Sequence, residues 1–120
     1  PTLEGAYEDM RALLSQRKEP LPTAFFVAND IIAVGCVRAL QEQSVRIPED
    51  VSIIGMDDLS ICQITNPPLS TMRVFREDIC RIAIRRLVEM IDSNTSRAVQ
   101  KTMVGVTLVD RKSIRDLRDI

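Results

Sequence analysis

Apolar and polar positions alternate along this chain in two rhythms, one helical and one of short continuous runs. Leu3, Ala6, Tyr7, Met10, Leu13 and Leu14 recur at three- and four-residue steps, with Glu4, Glu8, Asp9 and Arg11 between them. That spacing predicts an amphipathic helix over 3–14, with Thr2 placed to cap it. Pro20 and Pro22 in RKEPLPT bar a helix and mark a turn. AFFVA (24–28) is a continuous apolar run, the signature of a strand covered on both faces. A second helix follows from Asp30 to Gln43, then the connection SVRIPED, then a second buried strand in VSIIG (51–55). A short helix is expected from Asp58 or Ser60 to about Ile64. TNPPLST (65–71) reads as a stiff loop in which Pro67 and Pro68 allow a cis bond. The pattern then predicts a third helix from about Arg76 to Ile91 and a polar turn in SNTSRA (93–98). TMVGVTLVD (102–110) reads as a last strand, and a charged tail runs to Ile120.

Helices alternating with buried, parallel-type strands predict an α/β fold. Ligands of such sheets sit beyond the carboxyl ends of the strands. Two polar pairs occupy that place, Asn29-Asp30 after the first strand and Asp57-Asp58 after the second. Their equivalent positions on two parallel strands make them the candidate site.

Composition narrows what that site does. The 120 residues are 45% hydrophobic and 28% charged, the balance of one soluble domain rather than a disordered chain. A net charge of −1 offers no basic field for nucleic acid. The chain has no His, which excludes imidazole metal ligation and Ser/His or Cys/His catalysis within it. Three cysteines, Cys36, Cys62 and Cys80, are odd in number and lack metal spacing, which fits a reduced, cytoplasmic setting. No apolar run reaches the roughly 20 residues that span a bilayer. The sequence opens on Pro1 with no signal-peptide pattern, and we read it as a piece of a larger protein.

Each candidate also has a plain structural role. Asp30 is read as the cap of the second helix, where its charge also complements the helix dipole. Asn29 is divided between turn and ligand, since its amide offers both a donor and an acceptor. Asp58 is read as a cap of the short helix, leaving Asp57 to accept hydrogen bonds from a polar, sugar-like ligand. A Mg²⁺ site on Asp57 and Asp58 is the alternative from another class, a phosphotransfer or phosphohydrolase domain. It lacks the further Asp and the Lys that such a site wants on other strand ends. The second helix is apolar around more than one face. Val34, Val37 and Arg38 therefore face either a larger core or another subunit. On the third helix, Ile79, Ala83, Leu87 and Ile91 form one stripe. Arg81, Arg85 and Arg86 alternate with acids as a solvated face, with Glu77–Arg81 and Arg85–Glu89 spaced as ion pairs.

PTAFFVANDIIAVGCVRAL, RIPEDVSIIGMDDLS, NPPLSTMR and LVDRKS, in this order and at this spacing, resemble the LacI/GalR family of bacterial transcriptional repressors over about Gly5 to Ser113. The resemblance implies a two-lobed, type I periplasmic-binding-protein-like effector domain. Residues 1–113 would be the C-terminal portion of its effector-binding and dimerisation domain, and 114–120 a tail. The helix-turn-helix headpiece that holds operator DNA would lie outside this chain. The family's ligand-binding Asn matches Asn29, and the first acid of its DD pair matches Asp57. Val34, Val37, Arg38, Ile61, Cys62 and Ile64 match dimer-interface positions. The stretch near Thr71–Val74 matches a crossover between lobes, so the helix from Arg76 would belong to the first lobe. Its stripe would then pack on another copy or fold back on this one. The resemblance implies a non-enzyme without cofactor or metal, holding a sugar or nucleobase-like effector, homodimeric and not membrane-bound. A periplasmic solute receptor of the same fold is a further alternative. Met56 stands where the family has an aromatic residue, and Ser70 and Cys80 also depart from its pattern. With 3% aromatic residues, a ring to stack on a sugar is expected from outside this chain.

Overall fold

The computed structural model describes residues 2–92 and 98–119. Helix α1 (Leu3–Gln16) leads to strand β1 (Ala24–Phe26), helix α2 (Asp30–Glu42) and strand β2 (Ser52–Met56). A 3-10 turn (Ser60–Gln63), strand β3 (Ser70–Val74), helix α3 (Arg76–Asp92), strand β4 (Val106–Val109) and a last 3-10 turn (Leu117–Asp119) complete the order. The polar turn expected over 93–98 lies, apart from Ala98, outside the described residues.

The sheet order is β1-β2-β3-β4. β1, read from its apolar run as covered on both faces, leaves Phe26 64% exposed at the sheet edge. β1, β2 and β3 are parallel, but β4 runs antiparallel to β3. The sheet is therefore mixed rather than all-parallel. The reason is topological: the chain leaves along β3, passes through α3, and returns along β4. β3 lies where the sequence pattern predicts a loop and the resemblance implies a crossover. Its polar STMRV contains a single β-branched aliphatic residue, and its strand state comes from its neighbours.

The core lies between α1, α2 and one face of the sheet. Leu40, Ile53 and Leu69 are fully buried in it, with Val37, Ala33 and Cys62 packed alongside. Thr2 caps α1 as its sequence predicts, accepting from the Gly5 N–H at 3.0 Å. α1 crosses α2 at Gly35, where an added Cβ would overlap the Leu3 carbonyl, so only glycine admits the close approach.

Beyond β3 the molecule changes character. α3 buries no residue. The described chain measures 61 × 32 × 26 Å with a radius of gyration of 18.9 Å, against the roughly 13–14 Å of a compact domain this long. α3, the 98–104 segment and β4 form an arm that extends from the core. Ile79, Leu87 and Ile91 stay 41%, 58% and 72% exposed, so the stripe does not fold back on this chain. The arm's charges also pair differently from their i,i+4 spacing. Arg81 meets Asp78 and Arg86 meets Glu89, both one residue closer.

Candidate functional site

The site grows from the way β2 ends. Gly55 is buried, and a Cβ there would overlap the Asp30 carboxylate oxygen. The glycine lets Asp30, which is fully buried, lie against the strand. Asp30 does not cap α2. Asn29 does, its Oδ1 accepting from the Ile32 N–H at 2.9 Å. With that donor already satisfied, the Asp30 side chain turns inward. Its Oδ1 accepts from the Thr71 hydroxyl at 2.6 Å, and its Oδ2 accepts from the Leu59 N–H at 2.8 Å. Burial, and then the hydrogen bond of the Cys62 thiol to Asp30, push that thiol up to about 12.

Asp57 and Asp58 follow in backbone conformations that glycine would favour, with φ of 112° and 55°. Each such residue costs about 1–3 kcal/mol, and a surrounding structure must hold it in place. Three successive backbone donors do so. Asp57 N–H reaches the Met72 carbonyl at 2.9 Å, Asp58 N–H reaches Thr71 Oγ1 at 3.4 Å, and Leu59 N–H reaches Asp30. The buried Asp30–Thr71 pair thus fixes the turn that carries both acids.

The two acids then part. Asp58 caps nothing: the 3-10 turn starts after Leu59 without a side-chain cap. Its Oδ1 accepts from Arg111 Nη2 at 2.6 Å and its Oδ2 from Arg73 Nε at 2.7 Å. Burial would raise the Asp58 carboxyl, but the two arginines outweigh it and hold it below the ordinary 3.8. Two guanidinium partners satisfy this acid better than one backbone N–H would. Arg111 is anchored in turn, with Nη1 on the Leu69 carbonyl at 2.8 Å and its backbone N–H on Ser70 Oγ at 2.8 Å. The side chain of Asp57 has no hydrogen bond among the described residues. It lines a cleft of ≈ 300 Å³ with Asp58, Arg73, Phe75, Arg76 and Glu77.

Asn29 does not line that cleft. The β1–β2 register pairs Phe26 with Ile54, and continuing it brings Asn29 level with Asp57 at the strand ends. With its oxygen committed to the helix cap, the Asn29 side chain retains its NH₂ group for a ligand. Phe75 is an aromatic residue of this chain that borders the cleft. Neither Phe75 nor Arg111 was singled out in the sequence. Arg111 lies in the motif LVDRKS, but the motif gives no sign of its partner 53 residues earlier.

A paired-acid metal site does not fit this geometry, because both oxygens of Asp58 are taken by arginines. Among the described residues, no group of three or more His, Cys, Asp or Glu is placed to hold a metal.

The expected interface residues also divide. Val37 and Cys62 are buried in this chain's own core and have no surface to offer. Val34 and Ile61 are half-buried against that core. Arg38 is exposed, 4.4 Å above the Tyr7 ring and 3.3 Å from Glu42. Ile64 is 82% exposed.

Comparison with known proteins places this site in context. Residues 1–114 match the model of the periplasmic binding protein-like domain. The chain is 36% identical over 113 residues to the HTH-type transcriptional regulator GanR of Bacillus subtilis, covering 94% of this chain and 34% of that protein. It is 40% identical over 116 residues to the HTH-type transcriptional repressor PurR of Haemophilus influenzae, covering 95% and 34%. The fold matches the lac repressor dimer bound to operator and the anti-inducer ONPF, with a TM-score of 0.81 and 27% identity over 94% of this chain and 38% of that one. The chain therefore spans about a third of the length of the relatives it matches.

Proposed function

Starting from a chain that belongs to the periplasmic-binding-protein-like family, among the LacI-type regulators, we propose that it forms the C-terminal part of a repressor's effector domain. Residues 1–113 carry this role and 114–120 form a tail. The protein acts in the cytoplasm as a sensor rather than an enzyme. It binds a small polar effector and alters the hold of its DNA-binding part on operator DNA.

One observation carries this reading. Asp57 stands at the carboxyl end of a central parallel strand, locked in a strained turn, with no side-chain hydrogen bond among the described residues and lining a cleft. A carboxylate so held accepts two hydrogen bonds from neighbouring hydroxyl or N–H groups of a ligand. The free NH₂ group of Asn29, beyond the end of the neighbouring strand β1, is the second ligand donor in this reading. That chemistry suits a sugar or a nucleobase. Phe75 offers an apolar face for either ring. In the lac repressor dimer the same fold accompanies an operator and a small-molecule anti-inducer.

Two further assignments belong to the reading. The exposed Ile64, with Val34, Arg38 and Ile61, forms this chain's share of a homodimer interface. The arm from Phe75 to Val109 belongs to the opposite lobe, which covers the α3 stripe. The test is calorimetric titration of the full-length protein with ribose, lactose and hypoxanthine. Binding of one of these is expected to weaken about tenfold or more in Asp57→Asn, the loss of charged hydrogen bonds to a ligand. Unchanged affinity in that variant would contradict the role of Asp57.

A further inference from the structure

Asp58 is the third member of an arrangement that the ligand reading does not use. Chain leaves the core for the arm along β3, where Arg73 is the next-to-last residue, and returns along β4, which Arg111 follows by two residues. Both arginines close on one carboxylate, Asp58, which sits next to Asp57 in the ligand turn. The Asp58 and Arg111 side chains are only 11% and 14% exposed, so that pair is shielded from solvent and salt. Arg111 also grips the Leu69 carbonyl, which joins the return stem to the start of β3. Lys112 N–H adds a bond to the Pro68 carbonyl at 3.0 Å.

We propose that Asp58 is a positioning residue that binds the ligand turn and both stems of the arm into one cooperatively opening unit. Among the described residues the Asp57 side chain forms no hydrogen bond or ion pair with either stem, and only its backbone N–H reaches β3, at the Met72 carbonyl. The Asp58 carboxylate is the side chain of the turn that ties it to both stems. The arginines differ in kind. Arg111 is nearly buried and acts as the anchor, whereas Arg73 is half-exposed and acts as a second, weaker tie. Removing one partner of a shielded pair leaves the other charge without compensation, so the unit should loosen as a whole. A regulatory role for this staple rests on Asp57 being the effector contact. The staple itself does not, and it is tested without any ligand.

The experiment is native-state hydrogen exchange of the full-length protein, read at single amides. Asp57 and Leu59 report on the turn, and Lys112 on the return stem. Asp58→Asn and Arg111→Gln are each expected to speed exchange at all three amides by about tenfold or more. The double variant is expected to add nothing beyond the larger single effect. Asp57→Asn is expected to leave Lys112 unchanged. Should Arg111→Gln fail to fold, Arg73→Gln gives a smaller effect at the same amides, and Arg73→Lys restores protection. Faster exchange confined to the turn or to the stem, or additive effects in the double variant, would overturn the proposal. If Asp57→Asn weakens ligand binding while the exchange result fails, the effector site stands and only the staple falls.

Discussion

Helices α2 and α3 both follow a strand of the same sheet and both carry an apolar stripe, yet α2 buries seven residues and α3 buries none. The difference lies in what each helix faces. α2 has α1 on one side and the sheet on the other, so Ala33, Val37 and Leu40 are covered within the chain. Among the described residues, α3 faces the 98–104 segment across a groove of ≈ 720 Å³, lined by Ile79, Ile82, Ala83, Met90, Val99 and Val104. A buried aliphatic side chain stabilises by roughly 1.5–3 kcal/mol. The same amphipathic pattern is thus a core in one place and an exposed face in the other. Periodicity shows that a face wants to be covered, but not whether its cover lies in the same 120 residues.

The comparison breaks most readily through core substitutions. Ile53→Ala is expected to cost about 3–4 kcal/mol by urea denaturation of this chain, whereas Leu87→Ala on the arm costs less than about 0.5 kcal/mol. Equal costs would mean that the arm is packed in solution. Gly55→Ala comes next. Its methyl group displaces the Asp30 carboxylate, at an expected cost of about 1–3 kcal/mol. The same change at Gly105, which has open space around it, is expected to be nearly neutral.

Thiol labelling at pH 8 sharpens the contrast between regions without mutation. Cys80 on the arm is exposed, whereas Cys36 and Cys62 are buried and both thiols are pushed up, Cys62 to about 12. One cysteine is expected to react rapidly and two only on unfolding. Rapid labelling of Cys62 would mean that the turn held by Asp30 is open. The smallest effect is with acid. Asp58 has a carboxyl depressed below 3.8 in the folded chain. Its contribution is complete above 3.8 and disappears as pH falls through the lower folded value. The stability of Asp58→Asn should therefore depend less on pH in that window, as checked by thermal melts between pH 5 and pH 2.5.

Much of this was legible in the sequence, and the remainder was hidden for identifiable reasons. The three helices, β1, β2 and the Thr2 cap follow from periodicity and local chemistry. Both Asn29 and Asp30 are cap-type residues, and nothing local decides between them. Gly55 and Thr71 decide it, by making a place for Asp30 that only the folded chain brings together. Asp58 was assigned to a backbone cap because its arginines lie 15 and 53 residues away. β3 is hidden because Ser70 and Thr71 are polar yet fully buried, the Ser70 hydroxyl satisfied by Asp110 and the Arg111 N–H and the Thr71 hydroxyl by Asp30. Val37 and Cys62 passed for interface residues because an apolar side chain looks the same whether its neighbour is its own chain or another. Asp57 was the clearest candidate, a polar residue at a strand end whose side chain forms no hydrogen bond among the described residues.

The contrast between core and arm is tested most directly by hydrogen exchange along α2 and α3, in this chain alone and in the full-length protein. Amides of α2 are expected to be protected in both. Amides of α3 are expected to exchange far faster than those of α2 in the chain alone, and to approach their protection in the full-length protein. Equal protection of α3 in the two samples would contradict the account, because the apolar stripe would then need no cover from beyond these residues.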